Sequence, residues 1–295
     1  MADLVRATLR LRPDRVVVGE VRGGEALDLI KIWGTGHPGG IATVHAGAPI
    51  LSAELPETGE RFQGVLPPVV RAPSFAIRKR ALKIITLARY VADGILTEAQ
   101  AGFLRQAVRN RLNIVVAGGT STGKTTLANA LLDEIAETRD RVLILEDTVE
   151  LQCRSDDHVG MRTEPGVSTM ADLVRATLRL RPDRVVVGEV RGGEALDLIK
   201  IWGTGHPGGI ATVHAGSAHG ALTRLEQLIQ EVSVTVPRPL IAEAVNVIVF
   251  IAGRGHARRV QEIVRVVGFD AHGYRLSTEL MDSFPPIPST PGEPS

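Results

Sequence analysis

The chain has 295 residues, 44% of them hydrophobic, with 34 basic and 33 acidic side chains and a formal net charge of +1. That length allows two domains or one large domain with an appendage, and the near-neutral balance gives no global attraction to nucleic acid or acidic lipid. A single cysteine, Cys153, excludes an intrachain disulfide, and an aromatic content of 3% speaks against a base-stacking groove.

The first segment is charged and lacks the apolar run of a signal peptide. The best apolar stretch, Val245 to Ala252, falls far short of the ~20 residues that span a bilayer. A soluble, cytoplasmic chain without a transmembrane segment is the expectation.

Residues Met1 to Gly47 are identical, letter for letter, to Met170 to Gly216. Solenoid repeats diverge and stack in series; one perfect copy of this length is instead a recent duplication, a rearrangement or an assembly error in the sequence. Only one copy can fill a given structural slot. The second copy follows the phosphate-loop segment and leads directly into Ala218 to Phe250, so it is expected to take the slot. Loop closure alone discriminates weakly, by ~1 kcal/mol, and downstream packing decides. Residues 1–48 are then a duplicate without a native slot, carrying apolar surface with no evident partner.

Residues 49–110 begin with turn signals at Pro49, Pro56, Gly59, Gly64, Pro67, Pro68 and Pro73. They then become helical, with Thr97 and Gln100 spaced as a capping box ahead of an amphipathic stretch to Arg109. From Asn113 strands and helices alternate. Strands are predicted at Asn113–Ala117, Arg141–Glu146, Arg184–Glu189 and Ile210–His214. Helices are predicted at Lys124–Glu137, Thr169–Leu180, Gly193–Ile201 and Ala218–Glu231. This alternation predicts an α/β fold with a mostly parallel sheet covered by helices. Further strands are expected at Val245–Ile251, Arg258–Val267 and Tyr274–Ser277. The Pro/Ser/Gly-rich end, 281–295, reads as a disordered tail.

Four motifs carry chemistry. Gly118, Gly119, Thr120, Ser121, Thr122, Gly123, Lys124 and Thr125 fit the G-x-x-x-x-G-K-[ST] phosphate loop between a strand and a helix, and Thr126 continues into that helix. Backbone N–H groups and the helix N-terminus favour phosphate, Lys124 neutralises the terminal phosphates, and Thr125 ligates Mg²⁺. Glu146 and Glu150 lie at the end of an apolar strand, where open parallel sheets bind ligands; a polar loop with no such role is the alternative. Glu189 ends the predicted Arg184–Glu189 strand and suits orientation of an attacking water. The usual aspartate of such a strand is absent, and Gly188 stands before the glutamate. His206 and His214 flank the last of the predicted parallel strands. With one cysteine they complete no zinc site, and His214 is a candidate sensor of the terminal phosphate.

The phosphate loop GGTSTGKTTLANALL, the acidic segment ILEDTVELQC, the segment RLRPDRVVVGEVRGGEALDLIKIW and the segment TGHPGGIATVHAGSA stand in one order. Together they resemble the type II/IV secretion ATPase superfamily, most closely its conjugal-transfer branch, the TrbB-like proteins. Residues 49–79 also resemble the later part of that family's N-terminal domain, and the whole match spans roughly 49–280. The resemblance implies a RecA-like P-loop NTPase domain over 111–280, preceded by a smaller α+β domain whose remnant and linker are 49–110. The family's N-terminal domain begins well before Pro49, so it is expected to be truncated here. ATP and Mg²⁺ are the implied cofactors, and a homo-hexamer at the cytoplasmic face of the inner membrane, working with inner-membrane components, is the implied assembly. Glu146 and Glu150 map to the family's acidic box, Glu189 to its Walker B glutamate, and His206 and His214 to its His box. Arg78, Arg80, Arg139 and Arg162 are candidate arginines for the terminal phosphate. Glu20, His37 and His45 match motif letters in the duplicate but follow no phosphate loop, so they are expected to have no role. The competing expectations are a type II secretion or pilus motor, a RecA-like motor that touches DNA directly, and a rearranged inactive remnant. The composition argues against direct DNA binding.

Overall fold

A computed structural model describes residues 17–21, 41–44, 49–54, 60–79, 84–164 and 166–279. Arg80, His37, His45 and the tail 281–295 lie outside the described residues, and Glu20 is described for its backbone only. The chain divides into two units, Met1–Arg80 and Ala81–Ser295.

The first unit contains two small sheets. Strands β1 (Val17–Val21) and β2 (Ile41–Val44) pair in parallel, with Val18 opposite Ala42. Strands β3 (Ile50–Glu54), β4 (Arg61–Val65) and β5 (Ser74–Arg78) form an antiparallel meander. Phe62 is its one buried large apolar side chain among the described residues, and it stacks on Phe75 with ring centroids 6.0 Å apart.

The second unit is α/β, with a mostly parallel sheet. It starts with helices α1 (Leu87–Ala92) and α2 (Glu98–Arg109). Then follow β6 (Ile114–Gly118), α3 (Lys124–Ile135), β7 (Val142–Glu146), β8 (His158–Arg162), α4 (Met170–Thr177) and β9 (Arg184–Val187). The chain continues through α5 (Glu194–Gly203), β10 (Ile210–His214), α6 (Ala218–Gln230), α7 (Arg238–Ala244), β11 (Val247–Ala252), β12 (Arg259–Asp270) and β13 (Gly273–Ser277).

The eight strands lie in the order β13-β12-β11-β6-β10-β9-β7-β8. From β11 to β8 every pairing is parallel, and β12 and β13 add an antiparallel edge. The second copy of the repeat supplies α4, β9, α5 and β10. The first copy's β1–β2 pair forms a separate two-stranded sheet. Val187 stands opposite Ala211 in the large sheet, as their twins Val18 and Ala42 do in the small one.

Apolar runs such as Ile114-Val-Val-Ala make central strands because both faces of the sheet are covered. With period two, β6 sends Val115 and Ala117 into the core beneath α4 to α7, and Ile114 and Val116 into the core beneath α1 to α3. Each fully buried Leu, Ile or Val contributes ~1.5–3 kcal/mol. Helices α1 and α2, which the sequence reading groups with 49–80, place Leu87, Tyr90, Phe103 and Leu104 in the second core. The capping box before α2 forms on both sides: Gln100 N donates to Thr97 Oγ1 at 3.1 Å, and Thr97 N donates to Gln100 Oε1 at 2.9 Å.

The edge opposite the strands' C-terminal ends is locked by buried charge. Arg184, only 1% exposed, donates from Nε to Asp140 Oδ2 at 2.6 Å and from Nη1 to Gly208 O at 3.2 Å. Arg111 pairs with the other oxygen of Asp140. Burial pushes the Asp140 carboxyl up, but Arg184 and then Arg111 outweigh it and hold the group below the usual carboxylate range. Asn113, just before β6, joins the end of α7 to the start of β10, donating to Ala244 O at 2.7 Å and accepting from Gly209 N at 2.9 Å.

Candidate active site

The C-terminal ends of β6, β7, β9 and β10 meet at one edge of the sheet, where ligands bind in open α/β folds. Register places them there: His214 stands level with Gly118, and Leu145 with Val187.

After β6 the loop 119–123 turns into α3. Its backbone is left-handed at Ser121 (φ 63°) and again at Gly123 (φ 96°). Such turns aim successive main-chain N–H groups into one hollow, an anion-binding arrangement. Thr122 Oγ1 donates to Gly119 O at 2.9 Å and braces the hollow. Thr125 and Thr126 follow on the first turn of α3, half-buried, while Gly119, Thr120 and Ser121 face solvent. Amides, an ammonium group and a threonine hydroxyl on a helix N-terminus are the donor set that a nucleotide phosphate with Mg²⁺ needs.

Lys124 is 7% exposed, and its Nζ donates to Gly119 O at 3.0 Å. The same Nζ lies 3.3 Å from His214 Nδ1. It also lies 3.4 Å from His214 Nε2, which is in turn 2.8 Å from Glu189 Oε1. Burial, then the Lys124 charge, pushes the His214 pKa below its ordinary value despite Glu189. A neutral ring satisfies both neighbours, with Nε2–H donating to Glu189 and Nδ1 accepting from Lys124.

Glu189 follows β9 at the level of Gly188, whose N donates to Leu145 O at 2.8 Å. Thr212 Oγ1 donates to Gly188 O at 2.6 Å and fixes the turn. Gly188 has a steric reason: a Cβ there would stand 3.1 Å from Glu146 Cγ. An aspartate at 188 would press against the carboxylate that β7 already brings to this edge. Arg191 Nη2 donates to Glu189 Oε2 at 2.6 Å, and its Nη1 reaches Asp147 Oδ2 at 3.4 Å. Burial raises the Glu189 pKa, but Arg191, His214 and Lys124 together outweigh it and leave the carboxyl below its ordinary value.

The acidic segment is ordered by main-chain contacts. Glu146 Oε1 accepts from Glu150 N and Leu151 N, both at 2.8 Å. Asn129 on α3 holds the same loop, donating to Glu150 O at 3.2 Å and accepting from Gln152 N at 2.9 Å. Glu146 therefore shapes the loop that carries Glu150 at the rim of the site.

The structure thus brings together Lys124, Glu189 and His214, with Glu146 beside them. His206 is not brought there. It lies in the loop before β10, at the opposite end of a strand whose far end carries His214, and its Nδ1 is buried without a partner. Eight letters apart in sequence, the two histidines are separated by the length of the strand. Arg139 likewise follows α3 at the far edge. Arg162 ends β8 opposite Glu146, at the site's edge, where it pairs with Glu164 at 3.6 Å. Arg78 lies in β5 of the other unit. Two arginines escaped the sequence reading. Arg191 sits two residues from Glu189 and was legible as a charge partner across a tight turn. Arg254 donates from Nη2 to Thr120 O at 3.2 Å across a long gap in sequence, with no local signal.

Among the described residues no cluster of three or more His, Cys, Asp or Glu side chains forms a metal site. No described helix is long and apolar enough to cross a membrane.

The chain is similar in sequence and in fold to known proteins. The model of the family described as "Type II/IV secretion system protein" matches residues 1–53 and again 51–254. The chain is 52% identical over 233 residues to the probable conjugal transfer protein TrbB of Sinorhizobium fredii, covering 78% of this chain and 71% of that one. It is 37% identical over 253 residues to the type IV secretion system protein PtlH of Bordetella pertussis, covering 73% and 74%. Among solved structures it resembles the VirB11 ATPase of the Brucella suis type IV secretion system, determined in complex with sulphate, at 34% identity and a TM-score of 0.52, covering 74% of each chain. With the family model matching most of the sequence, the chain belongs to the type II/IV secretion system protein family.

Proposed function

We propose that this chain is an ATP-hydrolysing motor of conjugal transfer or type IV secretion, with its catalytic centre at Lys124, His214 and Glu189. The observation that carries the reading is the continuous contact from Lys124 through His214 to Glu189 beside the phosphate loop. A chain 52% identical to a probable conjugal transfer protein supplies the context. The phosphate-loop strand β6 lies between β10 and β11, which supports a RecA-like domain over 111–280.

In this reading the amides of Gly119 to Lys124 bind the nucleotide phosphates, and Lys124 neutralises the terminal ones. Thr125 would hold Mg²⁺, which supplies further neutralisation of phosphate charge. Glu189, kept ionised by Arg191, orients water against the terminal phosphorus and takes its proton. The bridging P–O bond then breaks, leaving ADP and phosphate. His214 reports on the terminal phosphate, because a phosphate that draws Lys124 away removes the donor to Nδ1. Glu150 lies at the rim of the same site. The chain would act as a homo-hexamer at the cytoplasmic face of the inner membrane, with inner-membrane components of the apparatus.

Isothermal calorimetry and phosphate release on the wild-type and Lys124→Ala chains test this. Wild type binds and hydrolyses ATP, and the variant loses both. Equal turnover in the two chains would reject the site.

A further inference from the structure

Two buried polar atoms, one of them against the phosphate loop, have no hydrogen-bond partner. One is the phenol oxygen of Tyr90 in α1, a residue only 1% exposed. The other is Nε of Arg258, at the end of the turn between β11 and β12. A buried donor without an acceptor lowers stability, so two of them at one place point to an occupant that supplies acceptors.

Arg258 lies directly on the phosphate loop. A Cβ at Gly123 would stand 3.1 Å from Arg258 Nε and 3.2 Å from its Cζ, so the guanidinium lies close against this glycine. Four residues earlier Arg254 donates to Thr120 O at 3.2 Å, which fastens the same turn to the loop a second time. Val260 N donates to Ile95 O at 2.9 Å and ties the start of β12 to the turn after α1. The Tyr90 pKa is raised by burial and partly drawn back by the Arg258 charge, as expected for groups in one neighbourhood.

Sheet order decides which part of a ligand these groups face. Strand β6 carries the loop and lies between β10 and β11. On the β10 side stand His214 and Glu189, where the terminal phosphate reacts. On the β11 side stand Arg254 and Arg258. A nucleotide with its terminal phosphate at Lys124 directs its nucleoside away from β10, toward β11.

We propose that Arg258 and Tyr90 form the nucleoside subsite of this protein: the Arg258 guanidinium and the Tyr90 hydroxyl donate to acceptors of the base and ribose. The inference rests on the ATP site proposed above and adds to it the residues that distinguish a nucleotide from a bare polyphosphate. Arg258 also offers a planar cation on which a base stacks. The subsite has a stability signature. Tyr90 keeps a hydroxyl that the nucleotide-free protein cannot satisfy, so its removal favours the empty state and disfavours the bound one.

Calorimetry on the full chain with ATP and with inorganic tripolyphosphate tests the assignment. Wild type binds both, ATP more tightly. Arg258→Gln lowers ATP affinity ~10-fold, the loss expected for a charge-assisted hydrogen bond, and leaves tripolyphosphate affinity unchanged. Tyr90→Phe lowers ATP affinity ~3-fold, as for a neutral hydrogen bond. It also raises the thermal midpoint of the nucleotide-free chain while shrinking the rise that ATP produces. Unchanged ATP affinity in both variants overturns the subsite. Equal loss of ATP and tripolyphosphate in Arg258→Gln also overturns it, by placing that arginine on the phosphates. A wild-type chain that binds neither probe rejects the ATP reading itself, and the subsite with it. Wild-type binding of tripolyphosphate and ATP with equal affinity rejects the subsite alone.

Discussion

His214 Nε2 lies 2.8 Å from Glu189 Oε1 while the Lys124 ammonium stands 3.3 Å from Nδ1 and 3.4 Å from Nε2 of the same ring. One imidazole therefore touches both the group proposed to receive phosphate and the group proposed to prepare water. A neutral ring serves both contacts, and a protonated one loses its acceptor for Lys124.

That balance fixes a titration. Burial and the Lys124 charge hold the His214 pKa below the ordinary histidine value. The ring is thus neutral through neutral pH and gains its proton only as pH falls below that value. Lys124→Met removes a positive neighbour, so the pKa of His214 moves up toward the ordinary range. Proton NMR of the ring across pH 5 to 8 (roughly the window of histidine titration) reads the shift. A downward move would contradict the contact.

Glu189→Gln should slow ATP hydrolysis by ~10²–10⁴ while ATP binding persists, because the amide keeps the shape but cannot take a proton. Glu20→Gln, the same substitution in the identical first copy, should leave the rate unchanged. Steady-state turnover on the two variants separates the copies.

Arg191 donates to Glu189 Oε2 at 2.6 Å and lowers that carboxyl's pKa against the upward pull of burial. In Arg191→Gln the carboxyl rises, so Glu189 is protonated at higher pH. The acid limb of kcat/KM against pH should then move to higher pH. An unmoved limb would show that the arginine does not act through Glu189.

Asp140→Asn leaves Arg184 buried without its counter-charge. Breaking a buried pair from one side costs ~3–5 kcal/mol, and urea unfolding should show a loss of that order. The sign with pH follows from the lowered folded pKa of Asp140. Its contribution is complete above the usual carboxylate value and disappears as pH falls through the lower folded one. The wild-type advantage over Asp140→Asn should therefore shrink in acid.

What the letters disclosed was mostly local. The capping box at Thr97 and Gln100, the phosphate loop and the buried strands β6, β7 and β9 each carry their signal within a few residues. Strand β8 was not read because His158–Arg162 is an edge strand with mixed polar and apolar letters and half-exposed side chains. Helix α7 begins at Pro237-Arg238-Pro239, which reads as a loop, although proline is well suited to a first helical turn. In the first unit, prolines and glycines drew the eye to turns and hid three short strands between them. His206 was grouped with His214 because they share one motif, although the strand predicted between them already sets them at its opposite ends. Arg254 meets Thr120 only after the sheet has formed, so no window of sequence contains that contact.

The register shared by Val18–Ala42 and Val187–Ala211 has a consequence for how the chain assembles. The same letters specify the same strand alignment with and without the flanking strands, so the alignment is written inside the segment itself. A polypeptide emerging from the ribosome exposes the first such segment before its large sheet exists. It thereby carries an internal rival for the place between β6 and β7, one that excision of residues 1–47 would remove without touching any strand of that sheet.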